Sequence, residues 1–225
     1  MDFPKPKRYL AEVSDLVYLN AKTLLLTFEL EEPETIEFLP GQFINIDVGN
    51  GLYRAYSICS DADVKNKISV VLTVAHDGVG ANFLKSRKVE DTIVFIGPSG
   101  RFVLHEPFKQ NILFLVTGTG IAPIIPMLHE ISRKTHESKI KVYFGLRSHE
   151  DIFFADKLKD FEHYICLSQV NGRITRFYRV DDVTATQVYV CGNPNMVSEV
   201  VEQLHGLGVP DDSVFQEKFI VAHHS

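Results

Sequence analysis

The sequence contains few cysteines and no long apolar run. These two absences exclude several classes of protein. Its 225 residues include only Cys59, Cys166 and Cys191, too far apart for a zinc knuckle or an iron–sulfur loop and odd in number for a disulfide framework. No run approaches the roughly 20 apolar residues that cross a bilayer, and the first ten residues carry no apolar signal core. We therefore expect a reduced, cytoplasmic protein without a membrane span.

Positive charge is also scarce. Lys and Arg number 23 against 29 Asp and Glu, a net charge of −6. The deficit is even along the chain, with 11 basic against 14 acidic residues up to residue 105 and 12 against 15 beyond it. No basic half exists to hold a nucleic acid, so we expect no such partner. The nine histidines show no metal-ligand spacing, and we expect no metal site.

The composition, 45% apolar and 23% charged, is that of a globular chain long enough for one large domain or two small ones. The first hundred residues predict closely spaced strands separated by turns such as Pro40–Gly41. Ile44 and Ile46 alternate with polar residues, the period of two that half-buried strands show. The predicted strands are Lys22 to Leu30, Phe43 to Val48, Tyr53 to Cys59, Ile68 to Ala75 and Thr92 to Ile96. Such a series favours an antiparallel barrel or sandwich.

After about Glu106 the pattern changes to that of an α/β unit. An apolar run is followed by a glycine-rich turn and then by apolar residues at helical spacing. The predicted strands are Ile112 to Val116, Lys141 to Gly145, Tyr164 to Ser168 and Gln187 to Gly192, and the predicted helices follow Pro123 and span Asn195 to His205. A domain boundary is therefore predicted near residues 104 to 110.

Two segments are candidates for ligand binding. The turn Thr117–Gly120 joins a strand to a helix, where glycines let the backbone approach a phosphate, although such a turn also serves simple chain reversal. In the extended segment around Arg54 and Tyr56, a cation and an aromatic ring two residues apart emerge on one face. That pair suits a phosphate and a flat ring, and it equally fits an edge strand with a solvated arginine.

Five motifs in order resemble the ferredoxin-NADP reductase superfamily over about residues 8 to 220. The motifs are Pro40-Gly41-Gln42-Phe43, Arg54-Ala55-Tyr56-Ser57, Gly97-Pro98-Ser99-Gly100-Arg101-Phe102, Thr117 to Pro123, and Cys191-Gly192-Asn193-Pro194-Asn195-Met196-Val197. The compact length, together with the ending Phe215–Phe219, is most similar to the bacterial ferredoxin (flavodoxin)-NADP reductases.

The resemblance implies a β + α/β fold: an antiparallel Greek-key β-barrel that binds FAD over residues 1–105, and a Rossmann-like parallel α/β domain that binds NAD(P) over residues 106–225. It implies an FAD-dependent oxidoreductase that moves electrons between NADP(H), or NAD(H), and ferredoxin or flavodoxin. We expect a monomer. Two alternatives stay open, an NAD(P)H:flavin reductase and a flavin-binding electron-transfer subunit that needs a partner chain.

The resemblance also assigns the site residues. The FAD-binding residues would be Arg54, Ala55, Tyr56, Ser57, Val74, Gly80, Ala81, Asn82 and Phe219. The NADP-binding residues would be Thr117, Gly118, Thr119, Gly120, Arg147, Ser168, Arg173, Cys191, Gly192, Asn193 and Met196. Ser57, Cys191 and Glu217 would be catalytic, with Cys191 either taking part directly or only shaping the pocket.

The chain departs from the family pattern at three places. Gly80-Ala81-Asn82 lacks the hydroxyls that usually meet the FAD phosphate, which implies weaker FAD binding. Gln169 stands where NADP-preferring relatives carry an arginine, leaving Arg147 and Arg173 for the 2'-phosphate. A tail, residues 220–225, follows Phe219 and would cover the flavin. A basic cluster of Lys85, Arg87 and Lys88 would receive an acidic carrier protein or be a solvated loop.

Overall fold

A computed structural model of the chain describes residues 2–75 and 77–219. It divides into two compact units: one holds residues up to Leu104 together with Ala122–Lys134, and the other holds His105–Ile121 and the residues from Thr135 onward. The tail of residues 220–225 lies outside the described residues. Among the helices of the described chain, none has both the length and the apolar content to cross a bilayer.

The first unit is built on six antiparallel strands. They are β1 (Lys7–Asn20), β2 (Thr23–Glu32), β3 (Phe43–Asp47), β4 (Tyr53–Ser57), β5 (Lys67–Thr73) and β6 (Thr92–Ser99), in the order β4-β3-β6-β1-β2-β5. Because β6 returns to lie between β3 and β1, the connectivity is of the Greek-key kind. Ile58, just after β4, bridges to Val70 on β5, so the two ends of this order meet and the sheet closes into a barrel.

The barrel interior is apolar because apolar residues occupy alternate positions along the strands. Alternate strand residues point inward, and Phe28, Ile44, Ile46, Ile68 and Phe95 are among the side chains that have no exposed surface. Each such side chain contributes about 1.5–3 kcal/mol through burial. This unit also contains α1 (Val79–Lys85) and α2 (Ile124–Ser132).

The second unit contains a wholly parallel sheet. Its strands are β7 (Asn111–Thr117), β8 (Lys139–Leu146), β9 (Glu162–Leu167), β10 (Thr186–Gly192) and β11 (Val214–Lys218), in the order β11-β10-β7-β8-β9. The helix α3 (Pro194–Leu207) presents Met196, Val197, Val200, Val201 and Leu204 to one face of the sheet. Gly208, with a φ of 85°, ends α3 in the left-handed conformation that favours glycine.

The antiparallel barrel and the parallel α/β sheet confirm the predicted fold class. Two elements of the barrel unit were not predicted. The first is β1, whose pairing with β2 is interrupted by register shifts after Leu10, Val13 and Tyr18, which break the period-two pattern in the sequence. The second is α1, which is only seven residues long and begins after Gly78, a residue without a side chain to cap it.

Candidate functional site: two cofactor-binding edges

The segments predicted to bind the pyridine nucleotide lie at the carboxyl ends of the parallel strands. The chain leaves β7 toward β8 and β9 on one side, and β10 returns on the other side of β7. The strand order therefore reverses between β7 and β10. In open α/β sheets, ligands bind in the crevice that this reversal creates beyond the carboxyl ends. Thr117 ends β7 and Gly192 ends β10, so two of the predicted segments meet at this point.

Glycines make the approach of these two segments possible. A Cβ on Gly120 would lie 2.5 Å from the carbonyl oxygen of Cys191 and 2.7 Å from the Cα of Gly192. Gly192 has a φ of 130°, and a Cβ there would meet the hydroxyl of Thr117. The amide of Asn193 donates to that same hydroxyl over 3.0 Å. Only glycine fits at positions 120 and 192 without displacing backbone.

Asn193 has a structural role that its sequence position did not reveal. Its side-chain oxygen accepts from the backbone amides of Asn195, at 3.0 Å, and Met196, at 3.3 Å. With Pro194 in the first turn, this is a helix N-cap, which satisfies amides that would otherwise lack a partner. The predicted nucleotide-binding residues Asn193 and Met196 thus also fix the start of α3 at this edge.

The two candidate 2'-phosphate arginines lie at the same edge of the sheet. Arg147 follows β8 and is exposed, and its carbonyl accepts from the amide of Gln169 over 3.0 Å. The amide of Ser168 donates to the carbonyl of Leu146 over 2.9 Å, which places Ser168 beside the end of β8. Arg173 is also exposed. Arg173 is followed by Ile174, whose Cβ would lie 3.5 Å from a Cβ on Gly145 in β8.

Gly145 is a residue of this edge that the sequence analysis did not assign to the site. A Cβ there would lie 2.8 Å from the methyl carbon of Thr117, so the glycine keeps space open beside the end of β7. The signal for it was present in the strand segment before Arg147. It could not be interpreted without the register that pairs Gly145 with Thr117.

Cys191 and Glu217 are brought together. They are register partners on β10 and β11, and the Cys191 side chain is wholly buried. Burial, and secondarily the charge of Glu217, raises the pKa of the Cys191 thiol well above its usual range. Cys191 is therefore a neutral thiol, which favours the interpretation that it shapes the pocket over nucleophilic catalysis. Phe219 lies next to this pair, because its amide donates to the carbonyl of Gly192 over 3.0 Å.

A neutral, buried Cys191 should not react with alkylating reagents in the folded protein. We expect iodoacetamide at pH 8 to leave Cys191 unmodified in the native state and to modify it after unfolding in urea, because only the thiolate attacks and burial suppresses it. Peptide mass spectrometry before and after unfolding gives the measurement. Rapid native labelling of Cys191 would contradict the assignment.

The predicted flavin residues of the barrel lie on and around β4. Arg54 and Tyr56 share the face that also carries their strand partners Ile46 and Ile44, whereas Ala55 is exposed on the opposite face. Burial raises the pKa of Tyr56 to about 12, against the lowering effect of the Arg54 charge. The tyrosine is therefore a neutral ring with an adjacent cation. This is the pairing that a flat, anionic ligand requires.

The first turn of α1 lies over these two side chains. A Cβ on Gly80 would be 3.0 Å from the Cγ of Arg54 and would meet the hydroxyl of Tyr56. On α1, Ala81 is half-buried and Asn82 is exposed. The predicted residue Val74, which follows β5, is half-buried, and its amide donates to the carbonyl of Lys22 over 2.8 Å.

Ser57 is buried and is the last residue of β4, where it pairs with Phe43 on β3. The predicted FAD residues other than Phe219 thus belong to the first unit. Phe219, Cys191 and Glu217 belong to the second.

These residues fit the two cofactors. The barrel offers a cation and a neutral aromatic ring on one face beneath a glycine, and the parallel sheet offers glycine-lined backbone at its switch point. Within the described residues, no cluster of His, Cys, Asp or Glu could hold a metal ion. The fold and the two sites define an oxidoreductase that uses a flavin and a pyridine nucleotide.

Comparison with known proteins supports this class. The model of the oxidoreductase FAD-binding domain matches residues 11–104, and that of the oxidoreductase NAD-binding domain matches residues 114–165. The chain belongs to the ferredoxin-NADP reductase superfamily, as its motifs predicted. FAD and a pyridine nucleotide are therefore its cofactor and its cosubstrate.

The individual relatives named here share 28–29% sequence identity with the chain. The chain is 29% identical over 228 residues to the toluate 1,2-dioxygenase electron transfer component of Pseudomonas putida, covering 94% of this chain and 67% of the relative. It is 28% identical to the propane 2-monooxygenase reductase component of Rhodococcus jostii, covering 84% of this chain and 57% of that relative. It is 29% identical to ferredoxin--NADP reductase B of Sorangium cellulosum, covering 86% and 90%. The chain thus spans only 57–67% of the length of the two oxygenase-system relatives.

Solved structures share the fold. The Amycolatopsis cytochrome P450 reductase GcoB superposes with a TM-score of 0.86 at 21% identity, covering 97% of this chain and 71% of that one. A ferredoxin NADP+ reductase from Neisseria gonorrhoeae, with FAD and NADP bound, superposes with a TM-score of 0.80 at 20% identity, covering 96% and 99%.

Proposed function

We propose that this chain transfers electrons from NADPH, through FAD, to a separate one-electron carrier of the ferredoxin or flavodoxin type. The observation that carries the proposal is the glycine-lined meeting of β7 and β10 at the switch point, in a chain whose other half is an FAD-binding barrel. Bound FAD supplies the chemistry that accepts a hydride and releases electrons singly.

The barrel residues hold and orient the flavin in this proposal. We assign residues 1–105 to the FAD-binding domain and residues 106–225 to the NAD(P)-binding domain, although α2 belongs to the first compact unit. Arg54 binds the pyrophosphate and Tyr56 packs on the flavin ring, because they lie side by side under Gly80. Ser57, at the end of β4, would offer its hydroxyl to the flavin as a hydrogen-bond donor.

On the nucleotide side, the chain provides a shaped and uncharged backbone surface. The Thr117–Gly120 turn and Gly192 accommodate the phosphates and the nicotinamide. The buried Cys191 lies beside them as a neutral thiol. Glu217 on β11 and Phe219 just after it close this surface. Because the cofactors supply the reactivity, the residues act chiefly by holding the reacting atoms at about 3–3.5 Å.

The one-electron carrier is proposed to be a different molecule. All three cysteines are buried, Cys59 in the first unit and the other two in the second, and within the described part of the chain no disulfide joins them. Three cysteines are fewer than the four that hold an iron–sulfur cluster. Lys85 and Lys88 are exposed, whereas Arg87 approaches Asp91 at 3.7 Å, so these two lysines are the stronger candidates for guiding an acidic carrier. We propose a monomer in the cytoplasm.

A second candidate is a reductase component that serves one particular oxygenase system. The names of the Pseudomonas and Rhodococcus relatives favour it. The test is stopped-flow reoxidation of the NADPH-reduced protein by ferredoxin, by flavodoxin and by a dye acceptor. Rapid reoxidation by either carrier supports the leading proposal. Turnover with the dye but with neither carrier favours a reductase component that is dedicated to one oxygenase system.

The choice between NADPH and NADH should depend on the exposed arginines at the carboxyl edge. We expect Arg147→Ala or Arg173→Ala to lower kcat/KM for NADPH about 10–100-fold and to leave NADH nearly unchanged, because a charge-assisted phosphate contact contributes about 1.5–3 kcal/mol. Steady-state kinetics with both nucleotides give the ratio. Arg176→Ala, another exposed arginine of the same unit, is the control. Equal losses with both nucleotides would exclude a 2'-phosphate site at these positions.

A further inference from the structure

A row of stacked aromatic rings crosses one face of the parallel sheet. The rings of Phe114 and Tyr189 are 5.1 Å apart, those of Tyr189 and Phe215 are 4.9 Å apart, and both pairs are nearly parallel. The three residues are register partners on β7, β10 and β11. His105 closes the row at its outer end, with its ring 4.1 Å from that of Phe215 and an interplanar angle of 10°. We call these four residues the aromatic row.

The aromatic row lies directly beside the residues assigned to the nicotinamide site. Two positions further along the same strands, the register partners are Val116, Cys191 and Glu217. Residues two apart on a strand point to the same face. The aromatic row therefore packs beside the register pair Cys191 and Glu217 on the same face of the sheet.

His105 is fastened by its backbone as well as by its ring. Its amide donates to the hydroxyl of Tyr189 over 2.9 Å, and its carbonyl accepts from the side chain of Gln187 over 3.1 Å. Among the described strands, β11 lies at the edge of the sheet and is paired with β10 alone. Phe215 is thus held between a ring of β10 and a ring that belongs to no strand. This contact fixes an edge strand on its less supported side.

We infer that His105 is a positioning residue for hydride transfer: by stacking on Phe215 it holds β11 so that Glu217 stays opposite Cys191. The inference rests on the proposed function, which places Glu217 and Cys191 at the nicotinamide. Its structural part, the holding of β11, does not depend on any cofactor.

The inference has a defined pH dependence. His105 contacts the Phe215 ring, the Tyr189 hydroxyl and the Gln187 amide, which are all uncharged at neutral pH, and the neighbouring Glu106 is exposed. Burial lowers the pKa of His105, so the native stack favours the neutral ring. The stabilisation is therefore present above the ordinary histidine pKa and is lost as the pH falls through the lowered one.

The test compares three variants with the wild type. His105→Ala removes the ring, His105→Phe keeps the stack but cannot be protonated, and His136→Ala removes a different histidine that contacts Phe108 edge-on. Two readouts are used: hydrogen exchange of the amides of residues 214–219, and single-turnover reduction of the bound FAD by NADPH between pH 5 and 8. Unfolding temperatures confirm that each variant is folded.

We expect His105→Ala to increase exchange in residues 214–219 and to slow flavin reduction about tenfold, since small displacements of reacting groups have effects of this size. His105→Phe should restore both within about twofold and should remove the loss of rate that we expect of the wild type at acidic pH. His136→Ala should match the wild type in both readouts.

Unchanged exchange in His105→Ala, or a His105→Phe variant as impaired as His105→Ala, would overturn the inference. If the wild type itself is not reduced by NADPH, the proposed function fails. The exchange pattern then still decides whether His105 holds β11.

Discussion

Replacing Gly120 with alanine is expected to slow reduction of the bound flavin by NADPH at least 100-fold. The added methyl would lie 2.5 Å from the carbonyl oxygen and 2.7 Å from the carbonyl carbon of Cys191. Both are backbone atoms of a buried strand, so no side-chain rotation relieves the overlap. The turn after β7 must move away from the end of β10, and the surface that receives the nucleotide is lost. Single-turnover reduction and NADP+ binding by calorimetry give the measurement.

A matched control exists in the same unit. Gly206 lies in α3, and a Cβ there would meet nothing within 4 Å. Gly206→Ala should leave nucleotide binding unchanged and stabilise the helix by about 0.5–1 kcal/mol. Retention of FAD by Gly120→Ala would place its defect in the nucleotide site. Normal reduction of Gly120→Ala by NADPH would contradict the site itself.

The second large effect concerns the flavin. We expect Arg54→Ala to raise the dissociation constant for FAD about 10–150-fold, because a charge-assisted hydrogen bond to phosphate contributes about 1.5–3 kcal/mol. Arg54 is the basic residue of β4 and lies under Gly80, and its guanidinium donates to the carbonyl of Tyr53 over 2.9 Å. Quenching of FAD fluorescence on titration measures the affinity.

Arg101→Ala is the control for Arg54→Ala. Arg101 belongs to the same unit, is exposed, and lies 5.9 Å from the centre of the Phe3 ring. Its loss should leave FAD affinity within about twofold of the wild type, as is usual for exposed side chains away from a site. Equal affinity of the Arg54→Ala and Arg101→Ala proteins would remove Arg54 from the pyrophosphate site.

Four of the five strands of the parallel sheet were predicted from the sequence, and β11 was not. Its strands are short apolar runs, and the runs at Ile112 to Val116, Lys141 to Gly145 and Gln187 to Gly192 all lie within observed strands. Parallel strands buried on both faces give such continuous apolar runs. β1 was missed because its sequence shows no regular pattern. Its bulges move the apolar residues from one face of the strand to the other.

The site was predictable to the level of segments. The predicted nucleotide segments lie at or after the carboxyl ends of parallel strands, and parallel strands bring those ends to one edge. What the sequence could not reveal is register. The pairings of Gly145 with Thr117 and of Phe215 with Tyr189, which account for the open space beside β7 and for the aromatic row, exist only once the strands are aligned.

The most direct test of the whole account is anaerobic reduction of the FAD-loaded protein. The purified chain is incubated with excess FAD, freed of unbound flavin by gel filtration, and mixed with NADPH or NADH while flavin absorbance is followed. The account predicts a yellow protein that loses its flavin absorbance on mixing with the nucleotide. A colourless protein, or a yellow one that neither nucleotide bleaches, would contradict it.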